Sequence, residues 1–149
     1  MNNPVKTLLG KTFERKNFNI GDDIEKLLGG SINKRSESDF EVWECKSKAV
    51  DSKSMITLGG KSTDDKNVIL DSVFEKMENT ILVWYEINEN KTFTVTKIEI
   101  LFSMNKNRFY DIDNNGLYFE SHKNSVNIRA TKKHFYELYG KNKITYEIV

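Results

Sequence analysis

The most chemically suggestive stretch of the chain is Asp39-Phe-Glu-Val-Trp-Glu44-Cys-Lys46. In a strand, side chains alternate between faces, so Glu44 and Lys46 point the same way. A carboxylate and an ammonium side by side at a sheet edge suit metal-assisted hydrolysis. Asp39 lies five residues before Glu44, on the opposite parity, and joins them only if the chain bends after the polar loop 31–38. Two carboxylates and the Cys45 backbone carbonyl would then offer oxygen ligands to a hard divalent cation, Mg²⁺ above all. Such an ion polarises a phosphoryl oxygen and acidifies water, and Lys46 would orient the water or stabilise charge on the phosphate. The bare pattern acidic-x-Lys is weak, since it occurs five times in this chain. Only the pair at 44 and 46 combines a strand with an upstream Asp after a polar loop. A solvated ion-pair ladder, worth roughly 0.2–1 kcal/mol per pair, is the plainer reading of the spacing alone.

These residues need a frame. The chain has 149 residues, a length that suits one domain spanning 1–149 with a sizeable core. Asn3, Pro4 and the apolar residues Val5, Leu8, Leu9 and Phe13 predict an opening helix. A second helix is expected over Ile20 to Leu28, with Asp22 and Asp23 in its first turn and Gly29-Gly30 closing it. Phe40 to Lys48 and Lys53 to Leu58 read as strands, the latter ended by Gly59-Gly60. Asp64 or Asp65 can cap a helix from Asn67 to about Glu78. Thr80 to Ile87 reads as a central buried strand, followed by a strand over Thr92 to Phe102. Arg108 to Asp113 and Gly116 to Phe119 look like a hairpin around Asn114-Asn115-Gly116. Val126 to Ala130 is a further strand, Thr131 caps a short helix closed by Gly140, and Ile144 to Val149 is a terminal strand. The expected class is α/β (α+β), a mixed β-sheet flanked by helices.

Composition narrows the function. One Cys excludes an intramolecular disulfide and every all-Cys zinc site. The longest apolar run, Ile81 to Tyr85, is far too short to span a membrane, and no apolar segment follows Met1 as in a secretory signal. A cytoplasmic protein with no membrane association is therefore expected. No phosphate-binding Gly loop, HExxH or Gly-x-Ser-x-Gly is present. The formal net charge of +1 excludes a broadly basic, charge-driven binder. It averages an acidic middle third and a basic last third. Lys34, Arg35 and Lys61 adjoin the proposed site and are the foremost phosphate contacts. Lys106, Arg108, Lys123, Arg129, Lys132 and Lys133 are further candidates, for which a solvated basic surface serves equally well. His122, in a polar stretch, reads as a loop residue, and His134 as structural. Cys45, on the face opposite Glu44, is expected to be buried. Asp111 and Asp113 flank a turn and lack the ligand spacing of a calcium loop.

The run Asn19 to Gly29, the loop, and Ser38-Asp39-Phe to Glu44-Cys-Lys46 together resemble the MutH-like branch of the PD-(D/E)xK nucleases. The similarity is nearest to restriction endonucleases of the MvaI/BcnI type, where the Asp-to-Glu spacing is like that of Asp39 and Glu44. The segment Lys53 to Ser62 is also similar to the one that follows the active-site strand in that subset. Ser38 stands where the family has Pro. The resemblance implies a restriction-endonuclease-like fold and a Mg²⁺-dependent DNA endonuclease of restriction or nicking type that leaves a 5′-phosphate and a 3′-hydroxyl. It makes Asp39 and Glu44 metal ligands and Lys46 the catalytic lysine. Glu25 becomes a helix carboxylate reaching the same site, although by its position alone it reads as an ordinary solvated Glu. His122 would approach the scissile phosphate, with Lys34, Arg35, Lys61 and Arg129 on the DNA. The implied partners are double-stranded DNA and a cognate DNA methyltransferase, with the enzyme a monomer or weak homodimer. The short body motivates an alternative, a non-catalytic DNA-binding or regulatory domain of the same fold.

Overall fold

The computed structural model of the protein describes residues 8–14 and 44–148. The expected helix at Ile20–Leu28, with Glu25, and the loop carrying Lys34, Arg35 and Asp39 lie outside these residues. Among the described residues the strands make two sheets. The larger is mixed, in the order β1 (Thr12–Glu14), β5 (Thr92–Leu101), β4 (Thr80–Ile87), β2 (Glu44–Ala49), with β8 (Lys143–Glu147) also paired to β5. β2 runs parallel to β4, and the other pairings are antiparallel. The smaller sheet is an antiparallel ribbon of β3 (Ile56–Lys61), β7 (Ser125–Ala130) and β6 (Leu117–His122).

β4 is buried on both faces, as its unbroken apolar run requires. Leu82 and Trp84 face a first core shared with Ile56, Leu58 and Ile128 of the smaller sheet and with helix α1 (Lys66–Met77). Ile81 and Val83 face a second core with Leu8, Val95 and Ile98, against which Cys45 packs. α1 buries Ile69, Leu70, Val73 and Met77, a stripe at helical spacing. Of the two candidate caps, Asp65 acts: its Oδ1 accepts from Asn67 N at 3.0 Å and Val68 N at 3.3 Å.

Four local expectations are corrected. The helical period seen up to Phe13 breaks at Gly10 (φ +81°), and Thr12–Glu14 is a strand whose Phe13 stacks on Phe93. Arg108 to Asp113 is not a hairpin strand. Asn105 Oδ1 accepts from Arg108 N and starts helix α2 (Lys106–Tyr110), and a 3-10 turn follows at Ile112–Asn114. Phe109 and Ile112, three residues apart, then both reach the first core. The hairpin is instead β6–β7, turning at Lys123 (φ 53°), so the backbone of His122 belongs to a strand end rather than a loop. Finally, Gly59 and Gly60 do not stop β3 but lie within it, at a shift of register against β7 between Thr57 and Gly59.

At Gly60 the two backbones approach closely: a Cβ there would lie 2.2 Å from the Val126 carbonyl oxygen. Gly60→Ala is therefore expected to cost about 1–3 kcal/mol, because backbone, not a flexible side chain, must move. Asp65→Ala is expected to cost about 1 kcal/mol through loss of the α1 cap. Urea denaturation followed by circular dichroism measures both. Equal midpoints for wild type and Gly60→Ala would contradict the close approach.

Candidate functional site

The site grows from the parallel pairing of β2 with β4. Glu44 lies opposite Thr80, Lys46 opposite Leu82 and Lys48 opposite Trp84. Leu82 and Trp84 face the first core, so Glu44, Lys46 and Lys48 lie on the side toward the smaller sheet, as two-residue alternation requires. Glu44 is 3% exposed. Lys76, near the end of α1, places its Nζ 3.3 Å from Glu44 Oε2. Tyr139 closes the same corner. Its hydroxyl donates to the Met77 carbonyl at 2.5 Å and lies 3.0 Å from Thr80 Oγ1. Burial raises the Tyr139 pKa, the Thr80 hydrogen bond opposes that rise, and the Glu44 carboxylate adds to it.

Beyond Glu44 the strand opens onto a cavity of about 340 Å³ lined by Lys46, Lys48, Ser54, Thr57 and Arg129 among others. Arg129 arrives from β7 because it pairs with Thr57 of β3. Its Nη1 is held 3.1 Å from Glu120 Oε2, while its Nε is buried with no hydrogen-bond acceptor among the described residues. Lys48 Nζ donates to Ser54 Oγ at 2.8 Å and to the Met55 carbonyl at 3.2 Å. Burial, and then the positive charges of Lys132 and Arg129, lower the Lys48 pKa from the ordinary 10.5. The unfolded chain thus holds this proton more tightly than the folded one. The charged Lys48 opposes folding at neutral pH; the cost falls as pH rises past its folded pKa and is gone above the ordinary 10.5.

Lys132 is held at the first position of α3 (Lys132–Glu137), which Thr131 caps. Its Nζ donates to the Ser52 carbonyl at 2.5 Å and lies 4.9 Å from the centre of the Trp84 ring. Trp84 is itself fixed from the far side. Its Nε1 donates to Glu99 Oε1 at 2.6 Å, and the Tyr136 hydroxyl donates to the same oxygen. Glu99 is 2% exposed and has Lys143 Nζ 3.7 Å from its other oxygen.

Of the residues singled out by sequence, the structure brings Lys46 and Arg129 to one cavity, and Glu44 precedes Lys46 on the same face of β2. Cys45 turns its side chain to the second core, leaving its backbone on the strand that carries Glu44. Lys61 lies at the other end of β3, four residues past Thr57 and roughly 13 Å along the strand. His122 ends β6 at that same far end, paired with Ser125. His134 is structural: its Nδ1 is 2.8 Å from Thr131 Oγ1 and its ring crowds Gly116. Among the described residues no group of three His, Cys, Asp or Glu side chains could hold a metal ion. Glu44 fits as one hard-oxygen ligand, buried at the head of the strand that carries Lys46. Sequence reasoning passed over Lys48, although its two-residue offset from Lys46 was the available signal.

The family model for the MvaI/BcnI restriction endonuclease family matches residues 4–147. No curated protein sequence matches the chain. Among solved structures, the chain is similar to restriction endonuclease MvaI in complex with its cognate DNA substrate. The TM-score is 0.67 at 14% identity, over 98% of this chain and 96% of that one. At that identity the likeness speaks for the fold, a restriction-endonuclease-like one. The family match covers nearly the whole length and includes β2 with Glu44 and Lys46: the chain belongs to the MvaI/BcnI restriction endonuclease family.

Proposed function

We propose that the protein is a Mg²⁺-dependent DNA endonuclease of the PD-(D/E)xK type, with Glu44 and Lys46 at its reacting centre. The observation that carries this reading is the shared face of β2. It sets the buried carboxylate of Glu44 two residues before Lys46, which lines a cavity together with Arg129. Asp39 and the Cys45 carbonyl complete the oxygen ligands in this reading, and Glu25 is the further carboxylate that supports Lys46. When bound, the metal supplies Lewis acidity to a phosphoryl oxygen and lowers the pKa of water. Glu44 would hold it from the protein side. Lys46 orients the attacking water and offsets charge that develops on the phosphate. Arg129 binds the backbone from the opposite wall of the cavity, with Lys34, Arg35, Lys61 and His122 along the DNA. Water oxygen bonds to phosphorus, the bond to the 3′ oxygen breaks, and that oxygen leaves with a proton. The products are a 5′-phosphate and a 3′-hydroxyl. One such site per chain cuts one strand per event, as in the MutH-like nicking enzymes, and a weak homodimer would cut both strands. In this reading the enzyme works in the cytoplasm beside a cognate DNA methyltransferase.

Supercoiled plasmid tests the reading. Intact protein with Mg²⁺ is expected to convert it to the nicked circle, and EDTA to stop the conversion. Lys46→Ala, Glu44→Gln and Asp39→Ala are each expected to slow it by about 100-fold or more. DNA ligase should reseal the nicks, which requires the 5′-phosphate and 3′-hydroxyl. Absence of nicking by intact protein, or equal rates in the variants, would refute the assignment.

A further inference from the structure

Lys48 and Lys132 are not needed to explain hydrolysis at Lys46, yet the fold gathers them beside it. Lys132 comes from a helix 84 residues further on and reaches back to the Ser52 carbonyl. Lys48 is anchored on Ser54 and Met55. Among the described residues neither lysine has a carboxylate within ion-pair distance. Arg129, the third cation of the group, uses Nη1 on Glu120 and keeps a buried Nε that finds no acceptor among the described residues. Like charges packed this way repel, and after burial the charges of Lys132 and Arg129 add to the lowering of the Lys48 pKa. A bound anion would relieve that repulsion and use the free donors.

The spacing indicates which anion. Lys46 and Lys48 are two residues apart on one face, about 6.7 Å along the strand. That is close to the separation of successive phosphorus atoms along one nucleic-acid strand. We propose that Lys48, Lys132 and Arg129 form a second phosphate site, which takes the phosphate next to the one presented to Lys46 on the same DNA strand. The inference rests on the nuclease reading for the identity of the polyanion. It adds two residues and a register: the cleaved strand runs along β2, with one phosphate at each lysine. Trp84 acts as a floor, its face turned to Lys132 and its N–H fixed by Glu99. Lys48, Lys132 and Arg129 are thus positioning groups for the substrate, one phosphate removed from the bond that breaks.

The test reads binding apart from cleavage. Each phosphate contact adds about 0.9 to the slope of log affinity against log salt concentration on duplex DNA. A labelled random-sequence duplex is titrated without divalent metal at several KCl concentrations, with wild type, Lys48→Gln, Lys132→Gln, the double variant and Lys48→Arg. Each single loss is expected to lower the slope by about 0.9 and the double loss by about twice that. Lys48→Arg should restore it. Thermal melting runs in parallel, because a lysine that merely latched the 50–55 loop would lower the melting temperature and leave the slope alone. Unchanged slopes in the Gln variants overturn the second site, even if wild type nicks plasmid. Lowered slopes in a protein that does not nick uphold the second site and refute the nuclease reading instead. Failure of wild type to bind the duplex refutes both.

Discussion

The structure turns on the in-register parallel pairing of β2 with β4. Glu44 N donates to the Asn79 carbonyl at 2.9 Å, and Val50 N to the Tyr85 carbonyl at 2.9 Å, so the six pairs between them keep step. Asn79 is itself tied down, its Oδ1 accepting from Ser103 N at 3.1 Å. A slip of one residue would turn Glu44, Lys46 and Lys48 into the second core and push Cys45 toward the cavity. The core on each side of β4 forbids it, because both faces of that strand are packed with large apolar side chains. The chemistry of one short polar strand is therefore fixed by the apolar strand beside it.

The same face concentrates costly charge. Glu44 and Glu99 are buried carboxylates, each held by a lysine and each close to a tyrosine hydroxyl anchored in the core. A buried carboxylate is tolerated only with partners of this kind. Glu99 fixes Trp84, and Trp84 gives Lys132 a ring face to rest on. One buried acid thus shapes a basic surface two side chains away. Burial of Lys48, with the repulsion of Lys132 and Arg129 added, costs folding free energy, a pattern common where a site is kept for its ligand rather than for stability.

The parts of the fold legible in the sequence were those where local and global signals agreed. β4 is apolar on both faces and is central. α1 has its cap at Asp65 and its stripe at 69, 70, 73 and 77. Arg108 to Asp113 misled because Phe109, Tyr110 and Ile112 are also good strand residues, and the deciding signal was the Asn105 cap three residues upstream of Arg108. Gly59-Gly60 misled because glycine pairs usually end elements. Here they let β3 and β7 come together closely enough to shift register. Glu44 and Lys46 were legible as a pair from parity alone. Their convergence with Arg129 and Lys132 was not, because it depends on β7 and α3 crossing to β2 from more than 80 residues away. No short-range spacing encodes that.

That distance bears on the near-neutral total charge. Charges act together in solution only within a screening length, about 8 Å at physiological ionic strength. Lys46 and Lys48 fall within one such length of each other on β2. Lys132 and Arg129 act on Lys48 strongly enough to move its pKa. Lys61, roughly 13 Å beyond Thr57 along β3, falls outside it. A phosphate therefore meets a compact block of positive charge at the cavity, whatever the sum over the chain. A chain of net charge +1 can hold a polyanion as long as the fold, rather than the composition, decides where the cations meet.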